Sequence, residues 1–541
     1  LTPQLKDLHP PDLLPGAVGA AAAIVNAVRS GAKIVIYGDY DVDGTASVAI
    51  LWHALTFLGA RVFFYVPHRT EEGYGLNPEA VDRLVQEGAG FIITVDCGIT
   101  AVDVADTLRR AGVPLVVTDH HAPHTALPPA EAIVHPALSG TACYGDTPLA
   151  GGSYPNPDLA GAGVAFKVAW AIGQKVSGAD RVDPRFRSLL LDLLPLAALG
   201  TIADVVPLRG ENRIIARYGL EGLVGTRLPG LRALIESAGL SGGRISGYDV
   251  GFKLAPRINA AGRMGHARLA VELLTRADTD RAREITLYLE EHNRSRQATE
   301  RQMTRDAVER IEGANLAGDA RRAIVLASHG WHAGVIGIVA ARLVDRFHRP
   351  AIMISVGTDE AQGSGRSIPG FDLHAALASC AEHLRSYGGH AMAAGIRLAP
   401  DQIEPFTDAF LHVANGRLTG EDLVPKLRLD AEISLDELTM PTAEAVLALG
   451  PFGLGNPRPR FASDWIELAD EPRAVGQHGR HLSASFHQDG VRMRAIGFGL
   501  ADRLEDLKQH RRCRVAFEPI INEFNGRRSV EMQVVDFRFP D

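Results

Sequence analysis

Residues 38–44 read GDYDVDG, which sets Asp39, Asp41 and Asp43 on alternate positions. That density of negative charge calls for cations, and two chemistries compete for it. The D-x-D-x-D-G spacing opens an EF-hand calcium loop, but such a loop needs a carboxylate at its twelfth position. Counted from Asp39, that position is Ile50. The flanks disagree as well. An EF-hand loop follows a helix, whereas here KIVIY (33–37) precedes it, a short β-branched run that reads as a buried strand. TASVAILWHALTFLG (45–59) then follows with helical spacing. Strand, acidic turn, helix is the opening of a βαβ unit.

Three more strand candidates repeat the rhythm: RVFFYV (61–66), FIITV (91–95) and PLVVT (114–118). Strands alternating with helical stretches predict an α/β fold built on a parallel sheet. Ligands of such sheets sit beyond the carboxyl ends of the strands. Polar clusters fall there: GDYDVDG after the first strand, Asp96-Cys97-Gly98 after the third, Asp119-His120-His121 after the fourth. A further carboxylate, Asp204, stands in the apolar run LAALGTIADVVPL (196–208). Carboxylates are rarely buried alone, so Asp204 reads as a metal ligand rather than a satisfied core residue.

Hard divalent cations prefer carboxylate oxygen, and manganese also accepts imidazole. Asp39, Asp41, Asp43, Asp96, His120, His121 and Asp204 exceed what one octahedral ion needs. Two ions, Mn²⁺ or Mg²⁺, sharing a carboxylate at ~3.5–4 Å suit phosphoester hydrolysis. His121 then fits better as a contact to the scissile phosphate, or as an acid, than as a ligand.

The 541 residues, 46% hydrophobic and 22% charged, describe a globular enzyme of several domains. The net charge of −8 argues mildly against nucleic acid, yet bound cations would cancel an acidic cluster and a basic groove can be local. Four cysteines without a C-x-x-C pair suit a reducing cytoplasm. No signal peptide is visible, and LLLDLLPLAALG, the nearest approach to a membrane span, is interrupted by Asp192 and Pro195. A chain starting at Leu1 rather than Met points to trimming.

ITLYLEEHNRSRQATERQMTRDAVERIEG predicts a long helix, polar nearly all round, that bridges domains through solvent. A second α/β unit follows, with strands AIVLA (323–327) and AIMIS (351–355), a helix from about Val335 to Phe347, and the loop GSGRS (363–367). PFGLGNPRPRF (451–461) reads as a linker or turn, and several short strands beyond it predict a small β-barrel. Asn525-Gly526 between two strand-like runs predicts a hairpin.

GDYDVDG, VDCG, DHH and GTIAD, in that order, resemble the four motifs of the DHH phosphoesterase superfamily. PHRTEEGYGLN (67–77), LAPRINAAGRM (254–264), SHGWHAGVIGIVAARL (328–343), GSGRSIPGFDL (363–373) and SYGGHAMAAG (386–395) resemble, within it, the RecJ family of bacterial single-strand-specific 5′→3′ DNA exonucleases. The resemblance covers nearly the whole chain. It implies a DHH catalytic domain (1–245), a connecting helical region (246–312), a DHHA1-like substrate domain (313–425) and an OB-fold nucleic-acid-binding barrel (426–541). It also implies Asp41, Asp43, Asp96, His120 and Asp204 as main ligands of Mn²⁺ or Mg²⁺, with Asp39 beside them and His121 on the phosphate. Gly388-Gly389-His390 would face the metals and hold substrate, and a helicase and a single-strand-binding protein would be partners of a monomer.

Other residues are substrate contacts on chemical grounds. Ser364 and Arg366, in a small-residue run with one guanidinium, suit a terminal 5′-phosphate, with Arg263 assisting. Arg257 and Asn259 would clamp phosphates if they face the cleft. Tyr74 and His332 are candidates for stacking or contact with a base. In the barrel Arg480, Arg492, Arg494, Arg527 and Arg528 could line a groove, with strand alternation leaving only a subset in place. The expected function is a metal-dependent 5′→3′ exonuclease that degrades single-stranded DNA to mononucleotides in repair and recombination. A phosphodiesterase or pyrophosphatase for small substrates is the alternative, against which the barrel argues. Intact acidic motifs argue against a scaffold that has lost catalysis.

Overall fold

The computed structural model describes residues 2–68, 72, 75–138, 143–144, 147–148, 153–263, 266–318 and 320–540. Five parallel strands form the first sheet: β1 (Ile34–Gly38), β2 (Val62–Tyr65), β3 (Phe91–Val95), β4 (Leu115–Thr118) and β5 (Ala132–Val134), in the order β2-β1-β3-β4-β5. All four expected strands are present, and β5 extends the sheet. After β2 the chain returns past β1 and lays β3 on its other side. The crevice beyond the carboxyl ends of β1 and β3 is therefore the topological switch point, where α/β sheets bind ligands.

Three helices shape that crevice: α1 (Val42–Phe57), α2 (Gly161–Ser177) and α3 (Pro184–Ala203). The α1 sequence is apolar on every side because α2, α3 and the sheet all pack on it, which is why its periodicity is weak. By length and composition α3 could cross a membrane, but 61% of its apolar window is buried inside the protein.

Helix α4 (Ala255–Arg263) precedes the long helix α5 (Thr279–Gly313), 35 residues that span about 50 Å at 1.5 Å per residue. The expected solvent bridge needs correction. Asn293, Arg296 and Glu300 are buried, and Met303, Ala307 and Ile311 join a hydrophobic core with α6 (Ile336–Phe347). The polar pattern hid this because the buried residues satisfy one another. Arg296 donates to Glu300 (2.7 Å) and Asn293 (3.0 Å), and Arg342 of α6 also reaches Glu300 (3.2 Å).

The second sheet joins β6 (Ile324–Ser328), β7 (Ala351–Val356), β8 (Ala361–Arg366), β9 (Ser386–Gly389) and β10 (Ala393–Leu398) in the order β9-β10-β8-β7-β6. The expected GSGRS loop is strand β8. A side chain on Gly363 would meet Ile396 at 2.5 Å and one on Gly365 would meet Leu373 at 2.9 Å, so both glycines face the core. Strand alternation puts Ser364 and Arg366 on the opposite face, beneath the first turn of α6.

Beyond it, strands 466–468, 481–488, 491–497, 512–524 and 527–538 close a barrel, since the last two pair with each other. The predicted hairpin turns at Asn525 (φ +50°) and Gly526 (φ +74°), the double positive φ of a tight hairpin turn. Of the expected linker or turn at 451–461, the turn is found at Leu454-Gly455, closed by Gly453 and Asn456. The start of the segment is docked on the first domain: Leu208 N–H donates to Leu454 O (2.7 Å), Arg209 Nε to Gly455 O (2.9 Å), and Arg213 to Leu449 O. This strap's carbonyls are thus held from outside.

Candidate metal centre

The loop after β1 delivers three carboxylates in three different ways. Asp39 is buried directly beyond the strand. Asp41 caps α1, its carboxylate accepting from Gly44 N–H at 3.0 Å. Asp43, inside the first turn, is 1% exposed and accepts from Gly161 N–H (2.7 Å) and Ala162 N–H (2.9 Å). Those amides open α2, whose positive end favours a carboxylate. Asp96 follows β3 with φ +60°, a left-handed conformation that Asp tolerates better than most residues. Asp204 ends α3 as its C-cap.

His120 gathers them. Its Nε2 lies 3.1 Å from Asp96 Oδ1, 3.7 Å from Asp204 Oδ2 and 3.8 Å from Asp43 Oδ2. That nitrogen is buried and makes no hydrogen bond among the described residues. Burial, and then the charge of His121, push the His120 pKa down to about 3, so the ring is neutral with a lone pair to give. Three overlapping groups result: Asp39, Asp41 and Asp96; Asp96, His120 and His121; Asp43, His120 and Asp204, with ligand atoms within 4.8 Å in each. All seven sequence-predicted residues thus come together, and Asp96 belongs to two groups, as a carboxylate shared by two ions would.

The electrostatics fit a divalent cation. Burial first, and then neighbouring carboxylates, hold Asp43 and Asp96 well above the usual carboxylate range. The same causes, with Asp41 the neighbour, push Asp204 up to about 7. Acids that resist ionisation in isolation are stabilised once cations replace the missing water. The donor set of carboxylates and one neutral imidazole suits Mn²⁺ or Mg²⁺.

His121 is set apart. Burial alone would lower its pKa, but the hydrogen bond from its Nδ1 to Asp119 Oδ1 (2.8 Å) and the charge of that carboxylate raise it to about 9. It is therefore a cation at neutral pH, half-exposed at the rim. Asp119 had not been singled out among the site residues. It is 1% exposed and also accepts from His120 N–H (2.7 Å), His121 N–H (3.1 Å) and Ile99 N–H (3.0 Å), which makes it the peg of the whole turn. A buried Asp beside two histidines was the available signal. Asp119→Asn should cost about 10- to 100-fold in activity, the usual effect of losing a residue that orients ligands. Steady-state rates at saturating Mn²⁺ would check it, and a loss under threefold would sink the role.

The substrate candidates are scattered more widely. A side chain on Gly262 would meet Tyr40 O at 2.6 Å, so the end of α4 abuts the acidic loop. Asn259 is half-buried on that helix, and Arg257 pairs with Glu290 (2.7 Å) and donates to Lys253 O (2.6 Å). Arg263 ends α4, but its side chain, like Tyr74, lies outside the described residues. Arg366 donates to Ser364 Oγ (3.1 Å), and a side chain on Gly337 of α6 would meet that hydroxyl at 2.8 Å. His332 is exposed just before α6, its Nδ1 accepting from Gly334 N–H (3.0 Å). Gly389 (φ +132°) ends β9, and His390 follows it, exposed, its N–H donating to Ala393 O (2.8 Å). In the barrel all five arginines, Arg480, Arg492, Arg494, Arg527 and Arg528, are exposed, and three of them are paired: Arg492 with Asp470, Arg494 with Glu531 (3.3 Å) and Arg528 with Glu444 (2.9 Å).

The chain matches the DHH family, N-terminal domain, over residues 33–201, the DHHA1 domain over 321–416 and the RecJ OB domain over 429–536. It is 38% identical over 532 residues to the single-stranded-DNA-specific exonuclease RecJ of Bacillus subtilis, covering 98% of this chain and 64% of that protein. The Haemophilus influenzae protein of the same description is 35% identical over 546 residues, covering 99% and 92%. Among solved structures, RecJ of Thermus thermophilus in complex with Mn²⁺ superposes with a TM-score of 0.80 at 34% identity, over 98% of this chain and 72% of that one. The corresponding Mg²⁺ complex gives 0.74 at 32% identity, over 98% and 71%.

Proposed function

Since this chain belongs to the RecJ family of single-stranded-DNA-specific exonucleases, we propose that it removes mononucleotides from the 5′ end of single-stranded DNA with two Mn²⁺ or Mg²⁺ ions. The observation that carries the reading is the set of overlapping carboxylate–histidine groups at the switch point.

Asp39, Asp41, Asp43, Asp96, His120 and Asp204 would hold the ions. When bound, such ions supply Lewis-acid activation of the attacking water and neutralise charge developing on the phosphorus oxygens. The chain's own residues do the rest. His121, a cation kept oriented by Asp119, faces a non-bridging oxygen of the scissile phosphate. His390 holds the same group from the opposite domain. Ser364 and Arg366, sharing one face of β8 beneath the α6 N-terminus, hold the terminal 5′-phosphate, which sets the direction of travel. Arg257, Asn259, Arg263, His332 and Tyr74 are further substrate contacts, and the barrel takes the strand beyond. A cleft too narrow for a duplex accounts for strand selection and requires a blunt duplex to be cut far more slowly than its separated strand.

We extend the reading to repair and recombination in the cytoplasm, by a monomer working beside a helicase and a single-strand-binding protein. Three buried free thiols, Cys97, Cys380 and Cys513, support a reducing compartment. The four-part division at residues 245, 312 and 425 is part of the same proposal.

The test uses one oligonucleotide labelled at its 5′ end in one tube and its 3′ end in another, with Mn²⁺. Immediate release of 5′-labelled mononucleotide, with a shrinking 3′-labelled ladder, is expected. Cleavage of di- to tetranucleotides alone would favour a small-substrate phosphodiesterase. Arg366→Ala should reduce the preference for 5′-phosphorylated over 5′-hydroxyl ends by about tenfold, the worth of one charge-assisted contact. An unchanged preference would remove Arg366 from that role.

A further inference from the structure

The helix Gly210–Val224 begins with two buried polar residues that the mechanism does not use, Glu211 (1% exposed) and Asn212 (0%). The side-chain amide of Asn212 donates to two carbonyls on different segments, Asp158 O at 2.6 Å and Pro207 O at 3.1 Å. Its Oδ1 accepts from Asn156 Nδ2 at 3.4 Å. Asp158 leads directly into Gly161 and Ala162, whose amides cradle Asp43. Pro207 lies on the loop that leaves Asp204. One planar NH₂ group thus ties the cradle of one carboxylate to the loop of another.

Glu211 reinforces the tie. It accepts from His9 N–H (2.8 Å), from the Tyr154 hydroxyl and from Lys167 Nζ. Lys167 is on α2, the helix whose first turn holds Asp43. The distance between Asp43 and Asp204 is set by the two supports that carry them, the start of α2 and the end of α3. Beside the direct packing of α2 on α3, residues bonded to both supports help to fix that distance.

We propose that Asn212 is a positioning residue that fixes the spacing of Asp43 and Asp204, and with it the affinity of the metal centre. This rests on the metal-dependent reading of the site. An asparagine is specific to the task. Asp has no donor, Ser has one, and neither can bond both carbonyls.

Asn212→Asp removes both donors at constant size, and Asn212→Ser retains one. Free Mn²⁺ is counted by electron paramagnetic resonance during titration, and melting is followed in EDTA. Leu223→Ala, in the core of the same helix, controls for lost stability. Asn212→Asp should weaken Mn²⁺ binding at least tenfold, with Asn212→Ser between it and wild type, while Leu223→Ala lowers the melting temperature and leaves affinity unchanged. Affinity within twofold of wild type in folded Asn212→Asp would overturn the proposal. If Asn212→Asp does not fold, Asn212→Ser decides by the same twofold criterion. Wild-type protein that binds no Mn²⁺ would instead overturn the metal reading itself.

Discussion

Asp96→Asn should abolish nuclease activity and yet make the metal-free protein more stable. The two effects share one cause. Asp96 is 2% exposed, and burial together with the charges of Asp43, Asp41, Asp39 and Asp204 raises its pKa well above the ordinary carboxylate range. A carboxyl group whose folded pKa is raised costs stability at any pH where the unfolded chain ionises it. Without metal, therefore, Asp96 destabilises the fold at neutral pH, and the cost disappears only as the pH falls below the unfolded value. Asparagine removes the charge, keeps the shape and tolerates the left-handed backbone at this position. Relief of about 1 kcal/mol would raise the melting temperature in EDTA by about 2–4 °C. With Mn²⁺ the order should invert, because wild type gains binding energy that the variant cannot. Activity should fall more than about a thousandfold, since the shared ligand of two adjoining groups is lost. Thermal scans with EDTA and with Mn²⁺ check the crossing. A variant that melts lower in EDTA would mean that Asp96 is stabilising as it stands.

Gly161→Ala is the second large effect, and its route is steric. The added methyl would lie 2.7 Å from Asp96 Oδ1 and 2.9 Å from Asp43 Oδ2. Both are atoms that the centre uses, and both are buried, so neither can swing into solvent. The residue also donates the 2.7 Å hydrogen bond that seats Asp43. One methyl group therefore pushes on two ligands at once. We expect activity to fall at least about a hundredfold, as misplacement of reacting groups by ångström amounts does. Mn²⁺ affinity should fall with it while circular dichroism stays native. Activity within threefold of wild type would show that the centre relaxes around the intrusion.

The sequence made the metal centre legible for a physical reason. Ligands of a parallel sheet must fall at strand ends, and Asp39, Asp96 and His120 each follow an apolar run that no other element explains. Asp204 was readable because a carboxylate in an apolar helix is costly. The supports were harder to see. Gly161 sits in a stretch of small residues and matters only through contacts with positions more than sixty residues away. Asn212 looks like any polar residue at a helix start. The fold was misread where polar residues pay no visible toll: Arg296 and Glu300 are buried because they satisfy each other. Gly363 and Gly365 suggested a loop, yet β8 needs them small, because Ile396 and Leu373 occupy the space their side chains would take.

The strap at residues 449–455 bears on how the barrel can be exchanged. Its carbonyls are gripped by Leu208, Arg209 and Arg213, a few positions past Asp204. A chimaera that grafts a foreign barrel at residue 460 keeps this grip, whereas one cut at residue 440 discards it and uncovers the back of the Asp204 loop. Two such hybrids with the same barrel would then differ in their demand for manganese. The strap thus belongs by sequence to the barrel's module, which is matched from residue 429, and by contact to the catalytic domain, so a swap of the whole module must bring its own carbonyls to the Asp204 loop.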